Sequence, residues 1–386
     1  MDLVFSDEQE MLRQSARQFL DTECPPTHVR KMMADDAGYA EDQWKKMAEL
    51  GWMGLSFPEE YGGSGLGMVE LGILFEEMGR VVMPGPFLPT VLAGLAIDIG
   101  GSEKQKQRYL REICAGRLKA TIAQVEPNGR WDALGIELPA KKDGKTYQLS
   151  GTKTYVADAH NAGLLVVVAR TRGKGPEGVT LFLVESQQQG VKTTLLRTMD
   201  QTRKLCEVRF DNVMVGRDAV LGKANKGWLL LEQVIDRARV LLSAEMCGGA
   251  QKVLDMSVDY AKVREQFGRP IGSFQAIQHK CANMLLQTES AKSATYYAAV
   301  AVANAAPDAH LAACMAKAYC SDAYRLIAAE GIQIHGGIGF TWEHDMHLYF
   351  KRAKGAEIMY GDASANRELV AQEVLDRPVT PHAGPA

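Results

Sequence analysis

Two stretches of this chain hold residue types spaced for ligand contact. The first is Tyr260-Ala-Lys-Val-Arg264-Glu-Gln266-Phe267-Gly268-Arg-Pro270-Ile-Gly272-Ser-Phe274-Gln275. It places a cation and an aromatic ring three residues apart, on one face of a long helix that Gly268 and Pro270 then break. The second, Gln333-Ile-His335-Gly336-Gly337-Ile-Gly339-Phe340, packs three glycines into four residues at a helix end. There backbone can approach a ligand that side chains would hold off. A helix cap needs only one such glycine, so the cluster points to binding, with His335 as a structural neighbour. A third feature is acidic. Glu245 is the only charged residue between Arg239 and Lys252, within the run Val240-Leu-Leu-Ser-Ala-Glu-Met-Cys-Gly-Gly-Ala250. A lone carboxylate on an apolar helix face should have a raised pKa, as a poised general base requires. It could equally pair with Arg239 or with a cation of another subunit. Asp362 is a second acid, placed either to act as a base or to cap the helix that begins near Ala363.

The elements that must carry these residues fall into three zones. Residues 1–118 read as helices. Ser6 and Gln9 form a capping-box pattern ahead of an apolar stripe at Leu12, Ala16, Phe19 and Leu20. Residues 119–225 shift to a period near two, with strands expected at Ala120–Val125, Thr146–Leu149, Leu164–Ala169, Val179–Val184 and Glu207–Phe210. Asp143-Gly144 signals a hairpin, and the zone reads as a compact antiparallel β domain. No strand–G-x-G-x-x-G–helix unit occurs, which speaks against a dinucleotide-binding parallel sheet. Residues 226–386 return to long amphipathic helices, at about 227–262, 274–305, 308–331 and 343–355 by their 3.6-residue period. A proline-rich tail from Arg377 should fray. The expected fold is therefore α+β and multidomain.

Composition narrows the classes. A chain of 386 residues with 46% hydrophobic content can bury a large core in two or three domains. A net charge of −3 with dispersed Lys and Arg argues against a nucleic-acid surface. No apolar run approaches the roughly 18 residues of a membrane span, and the acidic start is unlike a signal or transit peptide. Seven cysteines without a C-x-x-C pair fit reduced, buried thiols in a cytoplasm. No metal-ligand spacing stands out.

The two ligand stretches together resemble the acyl-CoA dehydrogenase superfamily, in which R-x-x-F-G and Q-x-x-G-G segments jointly hold the diphosphate and adenosine of FAD. The order of zones along nearly the whole chain is similar too. The resemblance implies FAD contacts at Gln333, Gly336 and Gly337 of one chain and at Arg264, Gln266, Phe267 and Gln275 of another, so that this second segment reaches a cofactor bound mainly by a neighbouring subunit. It therefore implies a dimer or a tetramer, homomeric or with a sibling chain. It also places Val125, Tyr155 and Ala157 against the flavin ring, and Ala238 and Arg239 beside the substrate.

The chain departs from that family at telling positions. Relatives carry Thr-Glu-Pro-Gly-x-Gly-Ser-Asp where this chain has Val125-Glu126-Pro127-Asn128-Gly129-Arg130-Trp131-Asp132, and Trp-Ile-Thr-Asn where it has Tyr155-Val156-Ala157-Asp158. Two hydroxyls that would face the flavin are thus missing. The proton-abstracting glutamate of Tyr-Glu-Gly-Thr falls on Tyr360, within Met359-Tyr360-Gly361-Asp362, and the alternative position of that base falls on Ala238. The backbone N–H of residue 360 could still polarise a thioester carbonyl, leaving Glu245 and Asp362 as replacement bases. The implied activity is FAD-dependent α,β-dehydrogenation of an acyl-CoA, with electrons passed to an electron-transfer flavoprotein. Two alternatives follow from the missing base. One is a non-catalytic partner subunit of a heteromeric dehydrogenase, and the other a lyase-type member that performs no dehydrogenation.

Overall fold

The Ser6 hydroxyl accepts from the Gln9 N–H and the Gln9 amide oxygen accepts from the Ser6 N–H, so the expected capping box opens the first helix. The computed structural model describes residues 5–375, so the expected fraying beyond Arg377 lies outside the described residues. Helices α1 (Asp7–Glu23), α2 (Pro26–Ala34), α3 (Glu41–Glu49), α4 (Met68–Arg80), α5 (Phe87–Gly100) and α6 (Glu103–Cys114) come first. Strands follow: β1 (Ala120–Ala123), β2 (Ala140–Asp143), β3 (Thr146–Ala157), β4 (Leu164–Arg170), β5 (Val179–Glu185), β6 (Val191–Leu196), β7 (Leu205–Gly216) and β8 (Val220–Leu221). The remainder is α7 (Gly227–Val263), the short strands β9 (Glu265–Gln266) and β10 (Arg269–Pro270), then α8 (Gln275–Ala303), α9 (Ala309–His335), α10 (Met346–Ile358) and α11 (Ala363–Leu375).

Strands β1 to β8 form two sheets, ordered β1-β4-β5-β8 and β2-β3-β7-β6. Asp143-Gly144 does turn a hairpin, pairing Asp143 with Thr146. The expectation of a purely antiparallel domain fails at one place, where β1 runs parallel to β4. Between them the chain crosses to the second sheet to make β2 and β3, and a crossover of that length permits parallel pairing. The facing surfaces bury Leu149, Leu165, Val167, Phe182, Val208 and Phe210 as the core of this zone. Near its end β3 slips register between Lys153 and Val156, which turns Tyr155 outward at φ +53° and 57% exposure.

Helix α7, 37 residues and roughly 55 Å long, is the axis of the helical core and packs on α4, α8 and α9. Gly248-Gly249 does not break the helix, which runs on to Val263. These glycines instead admit neighbours, because a Cβ on Gly248 would stand 1.8 Å from the Glu76 carbonyl oxygen of α4. On the α4 side, a Cβ on Gly79 would stand 1.9 Å from the carbonyl oxygen of Glu245. Backbone-to-backbone approach thus fixes α4 against the stretch of α7 that carries Glu245.

The reading of Arg264 and Phe267 as one helical face is corrected. Helix α7 ends at Val263, and β9 and β10 pair antiparallel across Phe267-Gly268, whose φ angles are +55° and +76°. Two consecutive positive φ angles make the tight turn that suits a hairpin. Pro270 explains the outcome, since it can neither donate to a helix nor tolerate a helical residue before it.

Candidate functional site

The hairpin and the glycine loop emerge side by side. Tyr260, one turn before the hairpin, stacks on His335 with ring centroids 4.4 Å apart, and His335 immediately precedes Gly336. His335 Nδ1 lies 2.7 Å from the Gly331 carbonyl oxygen, consistent with its reading as a structural residue. Around this junction the ligand-type residues are turned to solvent. Phe267 is 93% exposed; Arg264, Gln266, Gln275, Gln333, Gly336 and Gly337 are exposed as well. A Cβ at Gly336 or Gly337 would meet nothing within 4 Å, so the loop presents bare backbone to open space, with φ +64° at Gly336. A guanidinium beside exposed N–H groups suits a polyanion such as a diphosphate, and Arg264 makes no side-chain hydrogen bond or ion pair with any described residue. The fit to that part of FAD is good.

The second part of the site lies where β1 and β3 face α5, α7 and α10. A largely apolar recess of ≈ 330 Å³ is bounded by Val125, Trp131, Tyr155, Met199, Ile358 and Met359. Its volume and lining suit an aromatic ring. The expected loss of hydroxyl donors is plain, for Val125 and Ala157 are almost fully buried and carry none. Next to this recess, between Pro89, Ala238 and Tyr360, only ≈ 30 Å³ remains free, room for about two water molecules. Trp131 and Tyr360 meet there with ring centroids 5.3 Å apart. Tyr360 has φ +57°, and burial pushes its phenol up to about 12, so it stays neutral.

Neither proposed base faces this cleft with a free carboxylate. Glu245 is buried, and its two oxygens take Arg203 Nη2 at 3.0 and 2.7 Å and Arg352 Nη1 at 3.2 Å. The sequence expectation of a lone carboxylate is therefore corrected: the partners are two arginines from distant parts of this same chain, and not Arg239. Arg203 comes from the β6–β7 connection, where no periodic signal marks it. Asp362 is exposed and its Oδ1 accepts the Ala365 N–H at 2.8 Å, so it caps α11. Ala238 is fully buried and lines the smaller space, whereas Arg239 Nη1 binds Asp236 Oδ1 at 2.8 Å one helical turn away. Asp236 also holds His310, whose imidazole that hydrogen bond raises to about 10.

A second buried cation was missed by sequence reasoning, because it sits on α9 among alanines and cysteines. Lys317 is fully buried and donates to the Ser321 hydroxyl and to the carbonyls of Glu357 and Gly361, at 2.8, 3.0 and 2.9 Å. Burial lowers it to about 7. Together with Asn366, whose Nδ2 donates to the Gly361 carbonyl oxygen at 2.9 Å, it fixes the loop that presents Tyr360.

Three family models match in succession between residues 6 and 375. The acyl-CoA dehydrogenase N-terminal domain matches residues 6–117, the middle domain 121–213 and the C-terminal domain 225–375. The chain belongs to the acyl-CoA dehydrogenase family. Acyl-CoA dehydrogenase IpdE2 of Mycobacterium tuberculosis is 34% identical over 96% of this chain and 99% of its own length. The caffeyl-CoA reductase-Etf complex subunit CarC of Acetobacterium woodii is 30% identical over 97% of this chain and 100% of its own. Among solved structures, a chain of the ChsE4-ChsE5 complex from Mycobacterium tuberculosis superposes with a TM-score of 0.89 at 26% identity, covering 98% of this chain and 100% of that one. Acyl-CoA dehydrogenase-type proteins are in general oxidoreductases. Among the described residues no helix is long and apolar enough to cross a membrane, and all seven cysteines are unpaired.

Proposed function

We propose that this chain is the non-catalytic partner of a heteromeric acyl-CoA dehydrogenase, completing the FAD site of a sibling chain that carries the base. One observation carries the reading: neither position where the family's base would fall, nor either acid nominated to replace it, offers a free carboxylate to the cleft. Position 360 is a neutral tyrosine, position 238 an alanine, Glu245 is held by Arg203 and Arg352, and Asp362 is a helix cap. Meanwhile Arg264, Gln266, Phe267 and Gln275 on one side, and Gln333, Gly336 and Gly337 on the other, stand exposed at the mouth of two adjoining helix ends. In this proposal they contact the diphosphate and adenosine of FAD, with Arg264 supplying the paired N–H donors. FAD, when bound, supplies the hydride acceptor for α,β-dehydrogenation of an acyl-CoA. The assembly is a tetramer or dimer in the cytoplasm, and the relation to an Etf-complex subunit supports an electron-transfer flavoprotein as electron acceptor.

The ≈ 330 Å³ recess, bounded by Val125 and Tyr155, favours a second reading, in which these residues and Ala157 of the adjoining space seat a flavin of the chain's own and the chain oxidises acyl-CoA unaided. One experiment separates the two. The chain is expressed alone, its flavin content measured, and any bound flavin titrated anaerobically with a panel of CoA thioesters. No bleaching is expected, whether or not flavin is present. Bleaching at one flavin per chain would overturn the partner-subunit reading. Native mass spectrometry of the chain drawn from its own host should recover a second acyl-CoA dehydrogenase-type chain in equal amount.

A further inference from the structure

The geometry points to Trp131 as the residue that shuts the acyl cleft of this chain against CoA thioesters. This rests on reading the space in front of Ala238 as the acyl position. The indole, with Val125, Tyr155 and Met359, lines both the ≈ 330 Å³ recess and the ≈ 30 Å³ space next to it. An acyl group in front of Ala238 would need the ground where the Trp131 and Tyr360 rings meet, with centroids 5.3 Å apart.

The plug is held, because the loop around it is pinned on both sides. The buried amide of Gln124 donates to the Trp131 carbonyl oxygen at 2.9 Å. Before the tryptophan, Asn128 Oδ1 accepts the Arg130 N–H at 3.0 Å, and its Nδ2 reaches the Gly135 carbonyl oxygen at 2.9 Å. After it, Asp132 Oδ1 accepts the Gly135 N–H at 3.0 Å and the same carboxylate pairs with Arg130. Backbone fixed at residues 128, 130, 132 and 135 sets the point from which the indole projects, and the Tyr360 ring packs against it. Linear and bulky acyl groups are excluded alike, since only ≈ 30 Å³ remains free in front of Ala238.

The probe is S-octyl-CoA, a thioether that flavin cannot oxidise, titrated calorimetrically into the full-length chain. Trp131→Ser joins the two spaces and should bind the probe at least about tenfold more tightly than the parent. Trp131→Phe keeps a ring in place and should match the parent. The proposal is overturned if the parent binds as tightly as Trp131→Ser, or if Trp131→Ser, melting like the parent, binds no better. The parent's own titration decides even if the serine variant fails to fold. Binding by the parent without flavin bleaching would sink this inference alone, whereas bleaching by a CoA thioester sinks the partner-subunit reading.

Discussion

Glu245→Gln distinguishes an acid that holds the fold from an acid that does chemistry. In the parent, one carboxylate satisfies Arg203 through both oxygens and Arg352 through one. The amide keeps a single acceptor and loses the charge. Arg352 retains the carbonyl oxygens of Val82 and Met83, at 3.2 and 2.7 Å, and Asp200 at 3.5 Å. Arg203 retains only the Met359 sulfur at 3.1 Å. One guanidinium, 8% exposed, is therefore left without a hydrogen-bonded carboxylate, and buried Asp158 is its remaining electrostatic partner. Removing one partner of a buried pair costs about 3–5 kcal/mol; with one acceptor kept, the loss should lie near the lower figure. Calorimetric melting should show a fall of several degrees. The double variant Glu245→Met with Arg203→Met should recover at least about half of the loss, because an apolar pair carries no orphaned charge. The decisive outcome is the opposite one. If Glu245→Gln melts like the parent yet abolishes flavin reduction by acyl-CoA, the residue is a base and the ion-pair argument is wrong.

Arg264→Ala should weaken FAD retention by the assembly on the order of 10- to 100-fold, the value of a charge-assisted contact, while leaving the melting temperature of the isolated chain unchanged. Absorbance at the flavin band after gel filtration reads the first effect, and full retention would refute the assignment. Lys317 has its amine lowered to about 7 from an ordinary 10.5. The unfolded chain therefore binds the extra proton between those values, and stability should rise with pH across that window by on the order of 1 kcal/mol per unit. Lys317→Met should flatten that slope in melts taken from pH 7 to 9.5; an unchanged slope would refute it. Light scattering should find dimers or tetramers, alone or with a sibling chain, and a monodisperse monomer carrying FAD would contradict the shared site.

What the sequence disclosed was local. The Ser6–Gln9 cap, the Asp143-Gly144 hairpin and the change of period between zones each involve residues a few positions apart, and each stands in the structure. What it hid was long-range. Arg203 and Glu245 are 42 residues apart, and Arg352 and Glu245 107. Nothing in the run around Glu245 betrays partners contributed by other elements, so a paired acid read as a solitary one. Pairing of β1 with β4 was hidden for the same reason, since strand direction depends on how the chain travels between the sheets. The hairpin at Phe267-Gly268 failed differently. There Pro270 and a positive-φ glycine were both visible, but the strong helical period of the preceding residues was carried too far. Trp131 was seen as a departure, and only the structure gives its consequence, because the ring it meets lies 229 positions later.

Arg352 also sets the order in which the newly made chain can settle. Its guanidinium joins the turn after α4, the β6–β7 connection through Asp200, and α7 through Glu245. The turn it holds is a poor one by itself, for Val82 is a β-branched residue at φ +51°. On a ribosome adding about 5–20 residues per second, the roughly 270 residues from Val82 to Arg352 take tens of seconds to appear. Through that interval the helices near Val82 lack the group that steadies their connection, and Glu245 has only Arg203. A nascent chain stalled short of residue 352 should therefore be protease-sensitive at residues 81–86.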